Sequence, residues 1–312
     1  MSDIEFDPNV KGRILDVLAD LNDVELESIE TWFCSRAYKK ELDQKRSLDA
    51  SNEILKKIGD TIKDLVPFEA EMASETIAPP TIGEQADCNA INTLHVDEFL
   101  YDEDEVAELA KKGKIKRHYC LDCSSRNIKD LTFISHSMSK EELLYIFKVL
   151  LPKDLEDKQL LDVGSRLGTV LFGAYYLSNL RSIIGIEMNK ELCKVQEKVI
   201  EQFSMDNNRI KVMHSDVMNK GDIVANSNIV VINILDFFVD NQKHRDMWYF
   251  FKKHMKKGSY LVTNRSMRDT LDDLEIYHDF ANWLNICRIN QMENEIFCHV
   301  EDYSNLYLYI IN

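Results

Sequence analysis

The chain has 312 residues, 45% of them apolar, enough to bury a sizeable core and to suggest one large domain plus a smaller one. No apolar run reaches the ~18 residues of a membrane-crossing helix, and Met1-Ser2-Asp3-Ile4-Glu5 is acidic where a targeting peptide is basic. The expectation is a soluble cytoplasmic protein with no membrane contact, the nucleus remaining open. The net charge of −16 is uneven: residues 1–110 carry −17 and residues 111–312 carry +1. A nearly neutral second part argues against phosphate backbones as partners, since these are held by clustered Lys and Arg. The acidity of the leader leaves room for a protein partner there. Seven cysteines, an odd count, read as reduced thiols.

The leader reads as helical. Ile14, Val17, Leu18 and Leu21 recur at helical spacing, as do Ile54, Ile58, Ile62 and Leu65, with Leu26, Ile29, Trp32 and Phe33 between them. These stripes predict a small helical bundle over residues 1–80. Ala78-Pro79-Pro80-Thr81 interrupts it, so residues 81–130 are an acidic linker segment and 131–312 form the main domain.

Within the linker, His118-Tyr119-Cys120-Leu121-Asp122-Cys123 holds a C-x-x-C pair. Zinc wants four ligands, and Cys120 with Cys123 is only half of such a set; His95, His118, His136 and Cys88 are the candidates to complete it. The pair alone implies no metal, and two ordinary thiols is the plainer reading. Ser139 followed by Glu142 has the spacing of a capping box and predicts a helix start.

Four apolar runs then follow, each ending in a polar residue. Gln159-Leu160-Leu161-Asp162-Val163 reads as a buried strand and Gly164-Ser165-Arg166-Leu167-Gly168 as a tight turn into a helix. Gly164 lets the chain turn and Gly168 lets the helix pack closely, leaving free N–H groups for a cofactor's polar end. Ile183-Ile184-Gly185-Ile186-Glu187 ends in an acid 25 residues after Asp162, placed to accept both hydroxyls of a ribose. Residues 209–216 alternate as a strand does and end in Asp216, while Asn228-Ile229-Val230-Val231-Ile232-Asn233 is a central strand followed by Asp236. In open α/β sheets ligands gather at the carboxyl ends of the strands, so these ends define one rim. Lys252-Lys253-His254-Met255-Lys256-Lys257-Gly258 reads as a helix C-terminus, with cations facing the dipole. Residues 259–264 form a fifth strand, and 295–301 with 306–311 form a terminal antiparallel hairpin.

In pattern and order, residues from about 130 onward resemble the class I S-adenosylmethionine-dependent methyltransferases. Asp162-Val163-Gly164-Ser165-Arg166-Leu167-Gly168 is similar to the family's D-x-G-x-G-x-G motif. Glu187 stands where the family's acid holds the ribose, Asp216 where one meets the adenine amino group, and Asn233 to Asp236 where many members carry a catalytic motif. The run Gly185 to Leu192 is also similar to the non-SET histone lysine methyltransferases, a likeness not extended to their substrate. The resemblance implies an α/β fold, a Rossmann-like sheet with a C-terminal antiparallel hairpin, preceded here by a small helical region. It implies S-adenosylmethionine as cofactor, held by Asp162, Gly164, Ser165, Arg166, Gly168, Glu187 and Asp216. It also implies a segment before the first strand that folds over the cofactor, represented by Phe133, Ser135 and His136. The hairpin favours this reading over an NAD-dependent oxidoreductase.

Two departures bear on chemistry. Arg166 replaces the motif's middle glycine, so its guanidinium either fills the pocket or pairs with the cofactor's carboxylate. Asn233-Ile234-Leu235-Asp236 lacks the Pro-Pro-aromatic of amino-methylating members, which leaves the acceptor open, with protein or small molecule favoured over nucleic acid. Asn233 is a candidate to orient an acceptor, and Asp236 and His244 are candidate bases. The alternative is a methyltransferase-like fold that no longer catalyses and serves as a binding or scaffold protein.

Overall fold

The computed structural model describes residues 7–83, 85–122, 127–233, 236–287, 303 and 305–312. The chain divides into two compact units, Met1–Asn52 and Glu53–Asn312. The division falls well before the Pro79-Pro80 interruption.

The first unit contains α1 (Pro8–Ala19), α2 (Asp23–Cys34) and the start of α3 (Ala37–Lys63), whose range crosses the division. Local chemistry explains the helices: Asp7 caps α1 with Pro8 at its first position, and Asn22 and Glu25 form a reciprocal capping box on α2. Neither α1 nor α2 buries a residue, and Ile14, Leu15 and Val17 are exposed. The stripe at Ile14, Val17 and Leu18 therefore marks helical periodicity without the buried bundle core expected of it. The second stripe is different. Leu55, Ile58 and Ile62 are fully buried, on the part of α3 that belongs to the second unit.

In the second unit a short parallel pair, β1 (Thr93–His95) with β4 (Thr132–Ile134), brings residue 95 opposite residue 134. Between them in sequence lie α4 (Glu103–Lys111) and the hairpin of β2 (His118–Cys120) with β3 (Ile128–Asp130). Ser139 caps α5 (Lys140–Tyr145) in a full capping box, as the spacing predicts, and the chain continues as a π-helical turn over Ile146–Leu150.

The main sheet has seven strands: β5 (Gln159–Val163), β6 (Ser182–Glu187), β7 (Ile210–His214), β8 (Ile229–Ile232), β9 (Tyr260–Thr263), β10 (Leu284–Ile286) and β11 (Tyr307–Ile311). Their order is β10-β11-β9-β8-β5-β6-β7; β5 to β9 are parallel, and β11 runs antiparallel to both β9 and β10. This order, with an antiparallel strand inserted beside β9, is a Rossmann-like sheet of the kind the resemblance implies. The fold matches the expectation, with one change in its parts. The partner of the last strand is the short upstream segment Leu284–Ile286, and residues 295–301 lie outside those described.

Buried apolar strands explain why the sheet is central: all four residues of β8 are buried, as are four of five in β5. Helices α6 (Thr169–Leu177), α7 (Lys190–Gln202), α8 (Gly221–Asn226) and α9 (Asn241–His254) alternate with the parallel strands. α10 (Met267–Asp273) and α11 (Tyr277–Phe280) follow β9. Trp248, Phe251, Trp283 and Phe280 join Val230, Leu261 and Tyr309 in one core cluster. The order of connection reverses between β5 and β8, which opens a crevice above their carboxyl ends.

Candidate functional site

The turn after β5 shapes the floor of this crevice. Gly164, Arg166 and Gly168 have φ of 69°, 45° and 83°, so three of five residues are left-handed. At Gly168 no other residue fits: an added Cβ would lie 2.8 Å from Phe172 Cζ and 2.9 Å from Gln196 Cγ. The turn is tied to its neighbours by Gly164 N–H donating to Ile186 O (2.9 Å), Ser165 Oγ donating to Gln196 Oε1 (2.9 Å) and Gln196 Nε2 donating to Arg166 O (2.8 Å). Ser165 and Gly168 therefore build the turn from behind.

A cleft of about 350 Å³ lies above it. Gly164, Arg166, Glu187, Asp216, Asn233 and His136 all line it, joined by Ser74, Glu75 and Thr76 and by the apolar Met188, Val217, Phe238 and Met247. Its volume falls in the ~300–1,000 Å³ range of small-molecule sites. Asp162, Ser165, Gly168, Phe133 and Ser135 do not line it.

Glu187 ends β6 with its carboxylate buried. Its Oε2 accepts from the Arg166 amide at 2.9 Å and its Oε1 from the Asn189 amide at 2.7 Å, which fixes both oxygens at the cleft. Burial raises its pKa, while the two amides oppose the rise. A carboxylate oxygen has more than one lone pair, so each can still accept a hydroxyl. Asp162 is buried beneath; burial and then the nearby Glu187 push its carboxyl up to about 8. Asp216 follows β7, accepts from Met218 N–H at 2.9 Å, and has Lys243 Nζ at 3.5 Å from its other oxygen.

Arg166, which stands at the middle-glycine position, is held by the chain itself. Its Nε donates to Glu75 Oε1 at 3.0 Å, its Nη2 to Ala70 O at 2.5 Å, and its Nη1 lies 3.7 Å from Asp97 Oδ2. Arg166 and Glu75 side chains are 7% and 6% exposed. The guanidinium is therefore neutralised from within the chain, by the segment that follows α3. Beside the two roles expected of it, plugging the pocket or pairing with a cofactor carboxylate, it makes a third contact, clamping residues 70–75 beside the turn. Nothing local in the sequence signals Glu75 as its partner, because the pair spans 91 residues.

Of the catalytic candidates only Asn233 reaches the large cleft, while Asn233, Asp236 and His244 together line a second, small cavity of about 30 Å³. Asn233 lines the cleft, and its Nδ2 donates to the His136 carbonyl at 3.2 Å. Asp236 does not line it. Its carboxylate sits 3.2 Å from His244 Nδ1 and 3.4 Å from Arg265 Nη1, in an ion-paired cluster behind the wall. An acid with two partners of this kind is held in place, and neither Asp236 nor buried His244 lines the cleft. Ile234 and Leu235 lie outside the described residues.

His136 is buried at the cleft wall, edge-on to Phe237 and Phe238, with Nε2 2.8 Å from His95 Nδ1. Burial, then Arg166 and His95, drive its pKa down to about 2, so its ring is neutral. Among the described residues, no cysteine joins His95 and His136 in a cluster of metal-ligand spacing. Cys120 ends β2 opposite Ile128, His118 pairs with Asp130 at 2.9 Å, Cys88 packs on Ile134 and Phe237, and Cys123 lies outside the described residues.

No protein-family model matches the sequence, and no curated protein matches it. Among solved structures, the chain is similar to an O-methyltransferase from Bacillus cereus in complex with SAH, at 12% identity and a TM-score of 0.39, covering 67% of this chain and 89% of that one. It is similar to an RNA methyltransferase from Salinibacter ruber in complex with S-adenosyl-L-homocysteine, at 16% identity and a TM-score of 0.32, covering 40% and 72%. A magnesium protoporphyrin IX methyltransferase from Synechocystis with bound SAM follows, at 11% identity and a TM-score of 0.36, covering 55% and 76%. What this cleft can hold follows from its own residues.

Proposed function

We propose that the protein is an S-adenosylmethionine-dependent methyltransferase. The observation that carries this reading is the cleft above the β5/β8 switch point. There a buried strand-end acid, Glu187, is fixed at the ribose position, and Asp216 stands at the next strand end beside the apolar Met188, Val217 and Met247. In this reading Glu187 accepts the ribose hydroxyls and Asp216 the adenine amino group. Gly164 leaves room for the methionine portion along the turn. Asp162 supports the turn from below.

Transfer from a sulfonium asks little acid-base chemistry of the protein. The methyl group is already activated, so the chain must align an acceptor lone pair with it and keep water out. Asn233, His136 and Phe238 border the part of the cleft where an acceptor would enter, with Asn233 orienting it. The acceptor is a small molecule or protein group in preference to nucleic acid, a choice supported by the net charge of +1 over residues 111–312. The acidic leader is a candidate surface for a protein partner. The engagement of Arg166 by Glu75 supports the active reading over an inert scaffold, since the guanidinium is turned to an internal partner and the cleft stays open.

Calorimetric titration with S-adenosylmethionine, S-adenosylhomocysteine and NAD tests the reading. The expected outcome is one saturable site for the first two and none for NAD. Glu187→Gln should weaken binding by about 1.5–3 kcal/mol, the cost of hydrogen bonds to a charged acceptor. Gln retains one acceptor oxygen, which matters because Glu187 also holds the Arg166 and Asn189 amides. No binding of either sulfur compound would return the protein to the scaffold reading.

A further inference from the structure

Three segments far apart in sequence converge beside the cleft. Glu71 comes from the stretch after α3, His95 ends β1, and His136 follows β4; the β1/β4 pairing brings the two histidines to one place. His95 Nδ1 lies 2.8 Å from His136 Nε2 and 3.4 Å from Glu71 Oε1, and the three atoms all lie within 4.8 Å of one another. We infer that Glu71, His95 and His136 form a binding site for a divalent transition-metal ion of the zinc class, with at least one further position open to water.

The spacing fits. With metal–nitrogen and metal–oxygen bonds of about 2.0–2.1 Å in a tetrahedral arrangement, neighbouring ligand atoms stand about 3.3 Å apart. The His95–Glu71 distance already matches, and the two rings need to part by about 0.5 Å from their hydrogen-bonded separation. Two imidazoles and one carboxylate select zinc, cobalt or iron over magnesium or calcium, which prefer oxygen.

The surroundings fit as well. Glu75 and Asp97 both lie against Arg166, and Glu71 lies against His95, so in these contacts the acids outnumber the one permanent cation. Phe237 packs edge-on against both rings, an apolar wall that lowers the local dielectric. Unlike the other polar atoms near it, His136 Nδ1 is buried and has no hydrogen-bond partner. Among the described residues, the His136 ring nitrogens make no hydrogen bond except the one to His95, so no other polar contact is lost when Nε2 turns to an ion. The Glu71 side chain is 38% exposed, which gives an ion an entry path. Because His136 also lines the cleft, occupancy of the site would fix a side chain of the cleft wall.

Metal binding does not depend on the methyl-transfer reading and is tested without activity or cofactor. The full-length chain, free of any histidine tag and stripped with chelator, is titrated with Co²⁺ while visible absorption is followed, and Zn²⁺ is then added. The expected result is one equivalent of Co²⁺ giving d–d bands of four- or five-coordinate cobalt without sulfur charge transfer, displaced by Zn²⁺. Glu71→Gln, conservative and at a part-exposed site, and His95→Asn should each weaken Co²⁺ by more than the about 10–100-fold that loss of an outer-shell partner costs. The Cys120→Ser/Cys123→Ser double variant should leave the spectrum intact. Circular dichroism reports whether each variant is folded. Absence of Co²⁺ binding, binding unmoved by Glu71→Gln, or a charge-transfer band lost with the two cysteines would each overturn the site.

Discussion

Arg166→Ala removes the guanidinium that three acceptors share, and the structure sets the size of its effect. Arg166 and Glu75 are both nearly fully buried, so truncating one leaves the other as an unpaired buried carboxylate. Losing one partner of such a pair costs about 3–5 kcal/mol. The backbone adds a second, separable effect. Arg166 has φ of 45°, a left-handed conformation that costs a residue with a Cβ about 1–2 kcal/mol and glycine almost nothing. Arg166→Gly should therefore be less destabilising than Arg166→Ala by about 1 kcal/mol. Adding Glu75→Ala to Arg166→Ala should cost less than the sum of the single changes by about 0.5–3 kcal/mol, because the orphaned charge goes with its partner. Urea unfolding followed by fluorescence suits the measurement: Trp248 and Trp283 are buried in the second unit, and Trp32, in the first, is replaced by Phe to silence it. A loss below about 1 kcal/mol for Arg166→Ala, the value of a surface pair, would refute the clamp. So would Gly no better than Ala.

Two further outcomes follow from burial. A chain starting at residue 53 should fold and retain cofactor binding, whereas one starting at 81 should be insoluble, since it lacks Leu55, Ile58, Ile62 and the Glu75 that neutralises Arg166; a folded, binding 81–312 fragment would contradict this. Asp162 gives a pH signature: its folded pKa of about 8 lies above the ordinary 3.8, so between these values the folded state holds a proton that the unfolded state has released. Its contribution is complete below pH 3.8 and lost as pH rises toward 8, a slope of up to about 1.4 kcal/mol per pH unit. Asp162→Asn should flatten the fall in urea midpoint from pH 5 to 7 by that share, and an unchanged slope would remove Asp162 from the account.

The parallel strands were legible because each is a short apolar or alternating run bounded by a turn: β8 is buried throughout, and β7 alternates at the edge of the sheet. The capping box at Ser139 and Glu142 was legible for the same local reason: its partners are three residues apart. The rim acids Glu187 and Asp216 followed from strand ends alone. What sequence could not show depends on distance along the chain. Glu75 reaches Arg166 across 91 residues, and Glu71 joins His95 and His136 only once β1 has paired with β4. The partner of β11 escaped notice because three residues, Leu284–Ile286, carry too little periodicity to stand out. Asp236 does not reach the cleft, because position after a strand says nothing about the side chain's direction, which here is set by His244 and Arg265. In the leader, helical spacing was read correctly as helix in α1 and wrongly as burial, since periodicity reports only which face an apolar residue is on.

In the proposed function the cleft above β5 and β6 receives S-adenosylmethionine with its ribose on Glu187. A crystal structure of the protein with S-adenosylhomocysteine tests this most directly. Both ribose hydroxyls should lie within hydrogen-bonding distance of the Glu187 carboxylate, with the adenine beside Asp216 and Val217 and Arg166 still paired with Glu75. Ligand bound away from Glu187, or seated only where Arg166 has swung off Glu75 into the cleft, would contradict it.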